Sequence, residues 1–103
     1  MKLGEAFKRY FDTRELAKIT DEIYDKEITI TEMHSFLNKD SERKIIFTVK
    51  EDSEHYFYLP DSMEQFLSDD DLEAVNNGDY IKGTFTKTTT SNGYDMWVFV
   101  DAE

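Results

Sequence analysis

The stretch Thr86–Asp101, TKTTTSNGYDMWVFVD, places an Asn92-Gly93 pair between two runs rich in threonine, aromatics and valine. Both residues tolerate positive φ, so the pair predicts a hairpin closed by a two-residue type I′ turn. With that loop Ser91 faces Tyr94, Lys87 faces Val98 and Phe85 faces Val100. One face then carries Ile81, Gly83, Phe85, Met96, Val98 and Val100, the expected interior. The other carries Tyr80, Lys82, Thr84, Thr86 and Thr88 beside Trp97 and Phe99. A strand apolar on both sides is either covered on both sides or binds something.

Upstream, Glu27–Leu37 opens with Ile28 and Ile30 alternating against Thr29 and Thr31, and the alternation loses phase past Glu32, which predicts a strand with a bulge. RKIIFTVK, residues 43–50, is a second strand with Ile45, Phe47 and Val49 on one face. HYFYLP, residues 55–60, is a third that Pro60 ends. Asp61 or Ser62 then caps a helix carrying Met63, Phe66 and Leu67. Ser68 caps a further turn through Leu72 and Val75 to the Asn77-Gly78 stop. At the N-terminus Leu3, Ala6, Phe7, Tyr10 and Phe11 recur on one helical face. Asp12 with Glu15 forms a capping box that restarts helix through Leu16, Ala17, Ile19 and Ile23. Residues 1–24 are therefore a helical extension, and residues 27–101 form the body of one domain spanning 1–103.

The order helix, β, β, β, helix, β, β predicts a mainly β chain with α elements: a five-stranded Greek-key barrel of the OB-fold kind, its helix between strands three and four. On that order, the bulge in strand one and the NGDYIKGTF run (77–85) leading into strand four, residues 27–101 resemble small OB-fold single-stranded-nucleic-acid-binding proteins of the kind that phages and mobile elements encode. The resemblance implies a non-catalytic binder of single-stranded DNA or RNA.

Composition sets limits on that expectation. In 103 residues, 12 Lys and Arg face 23 Asp and Glu, a net charge of −11 that repels polyanions at long range. Residues 1–20 carry five basic and three acidic side chains, so the rest of the chain is more acidic still. Oligonucleotide contact would need a local patch working against the global field. The absence of cysteine excludes disulfides and thiolate metal sites and suits a reducing compartment. No apolar run reaches membrane-spanning length, and the first residues alternate charge with apolar side chains rather than forming a signal peptide; a cytoplasmic location without membrane contact is expected.

Two surfaces carry the candidate residues. Trp97 and Phe99 with Lys82 and Lys87 offer aromatic rings edged by cations, and so do Tyr56 and Tyr58 with Lys44 and Lys50. Rings on a sheet face stack on unpaired bases, and lysines hold phosphates. If Asp52-Ser53 form the tip of the second hairpin, Tyr56 and Tyr58 join Ile45, Phe47 and Val49; a longer loop exchanges them with Phe57. Against a ligand role stands ordinary burial: the leading stripe of Leu3, Phe7, Tyr10 and Phe11 must itself be covered, by this sheet face or by a second copy of the chain in a homodimer. His34 and His55 are too scattered for a recognisable zinc site, so neither metal nor cofactor is expected. The sequence holds no nucleophile motif, Walker loop or dinucleotide fingerprint, which points away from an enzyme. The competing expectation is an acidic protein-binding module, an accessory or host-directed phage protein that engages a basic partner or imitates nucleic acid.

Overall fold

A computed structural model of the chain describes residues 14–102. Among these, the strands are β1 (Glu15–Leu16), β2 (Glu27–Leu37), β3 (Arg43–Val49), β4 (Asp52–Tyr58), β5 (Ile81–Thr89) and β6 (Asp95–Asp101). Three short helices accompany them: α1 (Ile19–Glu22), α2 (Asp61–Glu64) and α3 (Asp69–Asn76). The strands form one mixed sheet ordered β1-β4-β3-β2-β5-β6, antiparallel except where β1 runs parallel to β4.

The expected five-stranded closed barrel is thereby corrected to an open sheet of six strands. Closure would require β4 to pair with β6, and β1 has taken the edge of β4 instead, Glu15 opposite His55 and Leu16 opposite Tyr56. Ala17 N extends the ladder by donating to Tyr56 O at 3.0 Å. The chain then crosses to the far side of the sheet, where Asp25 N donates to Phe85 O at 2.9 Å and Lys87 N donates to the Tyr24 hydroxyl at 3.2 Å. Of the helix expected from Asp12 to Ile23, the described part, residues 14–23, contains only α1. Pairing satisfies an otherwise bare strand edge, and that tertiary gain overrides local helical pattern. The Leu3–Phe11 stripe, and the dimer expected through it, lie outside the described residues.

In β2 the register breaks between Ile30 and Glu32, so Ile28 and Ile30 enter the core on one side of the break and Met33 on the other. The N-terminal half of β2 pairs with β5 and the C-terminal half with β3. Past Ile30 the strand has parted from β5, leaving the Met33 amide and carbonyl without a ladder. The Asn76 carboxamide takes both, accepting from Met33 N at 2.8 Å and donating to Met33 O at 2.9 Å. That bond pair docks α3 on the sheet, with Leu72 and Val75 buried beneath it.

The single helix expected between strands three and four is two. α2 starts at Pro60 without a side-chain cap. α3 has a complete capping box: Ser68 Oγ accepts from Asp71 N and Asp71 Oδ2 accepts from Ser68 N. The acidic run Asp69–Asp71 thus stands where exposed amides and the helix dipole favour carboxylates.

The core is a row of rings. Phe47 stacks on Phe57 at 5.5 Å and on Phe85 at 5.3 Å, and Phe85 meets Phe99 edge-on at 4.9 Å. Ile19 and Ile23 cap the row from α1 and its end.

The β5–β6 hairpin corrects the sequence expectation by one residue. Thr90 N donates to Tyr94 O and Gly93 N to Thr90 O, giving a three-residue loop with Gly93 at φ 83°. Phe85 therefore lies opposite Phe99, and Lys87 opposite Trp97. Every side chain of β6 changes sides relative to the two-residue loop. Trp97 and Phe99 join Gly83 and Phe85 on the inner face, while Met96, Val98 and Val100 face outward with Thr84, Thr86 and Thr88.

Phe99 lies directly over Gly83, where an added Cβ would come within 2.6 Å of two ring carbons and closer still to Val100 O. Gly83→Ala should therefore destabilise the protein by about 1–3 kcal/mol through displacement of that ring. Urea unfolding of both proteins measures the loss, and an unchanged midpoint would refute the packing.

Candidate functional site

Beyond β6, where a barrel would have closed, lies a groove of about 730 Å³. Buried Ile30, Met33, Leu59 and Phe85 form its floor. Met63, Phe66 and Leu67, from α2 and the turn after it, line one side, and Trp97 and Phe99 line the other. Phe66 is 75% exposed at the rim. Among the described residues no lysine or arginine lines the groove, and Asp101 is the one charged residue of its lining.

The candidate residues do not gather on one surface. On the outer face of β3 and β4 lie Lys44, Tyr56 and Tyr58, since Ile46 pairs with Tyr58 and Phe47 with Phe57. The register drawn from an Asp52-Ser53 tip is thus corrected. The turn is Lys50-Glu51, a shift follows between Phe47 and Val49, and Phe57 rather than the tyrosines enters the core. Tyr56 is buried, and burial pushes its phenol pKa up. Tyr58 is exposed, its ring 6.0 Å from Phe36.

Three of the four lysines are engaged. Lys44 donates to Asp61 at 3.0 Å, a bond that raises its pKa against partial desolvation. Lys82 pairs with Glu27 at 3.2 Å. Lys87 Nζ sits 4.7 Å over the Trp97 ring, whose edge also meets Tyr24. Lys50 is exposed at the β3–β4 turn. Trp97 and Phe99 are half-buried on the opposite face from the tyrosines, lining the groove.

One cluster was not visible in the sequence. His55 Nδ1 lies 2.7 Å from Asp52 Oδ2, and Glu22 brings a third possible ligand atom, all three within 4.8 Å of one another. An imidazole and two carboxylates suit a divalent transition metal in kind. Here Nδ1 and Oδ2 are already paired, and Asp52 Oδ1 accepts the amides of Glu54 and His55, so the arrangement is an ion pair complete in itself. The Arg14 guanidinium donates to the carbonyls of Asp52 and His55, so the same corner fastens the start of β1 to β4. His34 lies elsewhere, 3.7 Å from Glu32.

Sequence reasoning singled out Trp97 and Phe99 but placed them on the wrong face. It missed the opposite wall because Met63, Phe66 and Leu67 read as an ordinary buried helix stripe. No family model, curated protein or solved structure matches the chain. Among the described residues no helix is long and apolar enough to cross a membrane.

The ion pair has a pH signature. The hydrogen bond that the His55 ring donates to Asp52 raises the His55 pKa above its ordinary 6.5, partial desolvation opposing and nearby carboxylates assisting. Partial burial pushes the Asp52 carboxyl up, and the bonds from the His55 ring and the Glu54 and His55 amides outweigh it, leaving the pKa below 3.8. The stability from His55 is complete below pH 6.5 and fades as pH rises through its folded-state value. That from Asp52 is complete above pH 3.8 and is lost as pH falls through its folded-state value. The difference in stability between the protein and His55→Gln should therefore be largest between those values and shrink above neutrality, measured by urea unfolding across pH. A difference flat with pH would show that the pair contributes nothing.

Proposed function

We propose that the protein is a non-catalytic, acidic protein-binding module that takes an apolar segment of a basic partner protein into the groove between α2 and β6. The observation that carries the reading is an apolar groove beside a strand edge that no described residue pairs, its charged lining acidic among those residues, in a chain of net charge −11. Exposed apolar area of this kind marks interaction surfaces, and a negative field steers a basic partner toward it. The lining is mainly apolar, and its polar members are Ser62, Gln65 and Asp101.

Oligonucleotide binding, with the OB-like barrel ancestry it presumes, is the weaker reading. Its rings are split between two faces, and Lys44, Lys82 and Lys87 are held by Asp61, Glu27 and Trp97. A phosphate backbone would have to displace those partners and approach against the overall charge.

The test compares the protein with Phe66→Asp, an exposed change that should leave stability within about 0.5 kcal/mol. Affinity capture from nuclease-treated lysate should retain basic proteins on the parent and lose them on the variant. Gel-shift titration with a labelled single-stranded oligonucleotide should show no complex for either. Capture indifferent to Phe66→Asp, or a salt-sensitive oligonucleotide complex, would overturn the reading.

A further inference from the structure

The two ends of the β5–β6 ladder reveal which way each backbone group of β6 points. Thr90 N bonds Tyr94 O at one end and Ala102 N bonds Lys82 O at the other. Even-numbered residues of β6 therefore face β5, and the amides and carbonyls of Asp95, Trp97, Phe99 and Asp101 point away from it along the free edge. No backbone bond to a described residue engages them. The side chains of these same residues lie on the inner face, and three of the four line the groove. The hydrogen-bonding edge and the apolar groove are thus served by one set of residues.

We infer that β6 accepts an extended segment of the partner protein as a further strand, with the pattern basic-x-apolar-x-apolar-x-basic. This rests on the protein-binding reading and gives it a geometry. A strand added antiparallel at that edge places alternate side chains opposite Asp95, Trp97, Phe99 and Asp101 and turns their own amides toward β6. The two central ones fall against the Trp97 and Phe99 rings over the groove, and the two outer ones meet carboxylates. Apolar residues suit the first pair of positions and lysine or arginine the second.

The same sequence argues against a second copy of this chain as the occupant. Asp95–Asp101 reads DMWVFVD, and antiparallel self-pairing about Val98 sets Asp95 against Asp101 at both ends. Like charges directly opposite destabilise a strand pair, so the acids that attract a basic strand also keep the edge from meeting itself.

The test uses the acetylated, amidated peptide Lys-Thr-Val-Thr-Val-Thr-Lys with the full chain labelled with nitrogen-15. Binding should move the amide signals of β6, Trp97 and Phe99 foremost, and slow their hydrogen exchange. N-methylating the two valines removes the amides that would face β6 and should weaken binding about tenfold or more. N-methylating the outer threonines should leave it within about twofold, since those amides face away from β6. Replacing both lysines by glutamate should abolish binding to the parent and restore it with Asp95→Lys/Asp101→Lys. Binding indifferent to valine N-methylation, or signals that move only outside Asp95–Asp101, would overturn strand addition. So would no binding at millimolar peptide while Phe66-dependent capture of proteins persists, and in that case the protein-binding reading survives alone. Loss of the Phe66-dependent capture as well would remove both.

Discussion

A loop one residue longer than the Asn92-Gly93 pair requires decides on which side of the sheet every residue of β6 lies. Gly93, at φ 83°, absorbs the extra residue in a left-handed conformation that a side chain would resist. Because strand side chains alternate with a period of two, that single residue carries Trp97 and Phe99 inward and sends Met96, Val98 and Val100 out. The contact of Phe99 with Gly83, the position of Lys87 over the indole and the apolar wall of the groove all follow from it. The hairpin sequence predicted the turn and is compatible with two registers one residue apart. Packing against Phe85 and the missing Cβ at position 83 favour the observed one.

The open side of the sheet has its own cause. A curled sheet of five strands exposes two edges, and closing them on each other is one way to satisfy the backbone. This chain instead spends its N-terminal strap on the problem. β1 covers the β4 edge, and residues 17–25 bridge to β5 through Asp25 and Tyr24. The strap is fixed at its start by Arg14 and the Asp52–His55 pair and at its end by burial of Ile19 and Ile23. With β4 covered, β6 has no strand to close against among the described residues, and the space beside it is the groove.

What the sequence made legible was local chemistry. The alternation of Ile28 with Ile30, the phase loss near Glu32, the Ser68 cap and the Asn77-Gly78 stop each follow from short-range constraints, and the structure contains the strand, the register break and the capped helix. Tertiary competition was what could not be read. Glu15 and Leu16 carry a helical pattern yet add to β4, because the strand edge offers more than one turn of helix does. Tyr56, Phe57 and Tyr58 are three rings in a row, and only the Lys50-Glu51 turn determines that Phe57 goes inward. The site suffered from the same ambiguity: its rings were identified, while their side of the sheet and the wall formed by Met63 and Phe66 depended on registers and turns that composition leaves degenerate.

Charge gives the geometry its direction. An unpaired edge beside an apolar groove is, by itself, an aggregation hazard, and proteins commonly protect such edges with charge placed along the strand. β6 has Asp95 and Asp101 at its two ends and no cation between them. Carboxylates in those positions oppose pairing with another acidic edge, this chain's own included, and leave pairing with a basic one favourable. Since the whole chain is strongly acidic, the local pattern and the long-range field would favour the same basic strand in the proposed addition. A device that only prevented aggregation would need charge of either sign; under the proposed strand addition, selectivity comes from the agreement between the sign at the strand ends and the sign of the molecule.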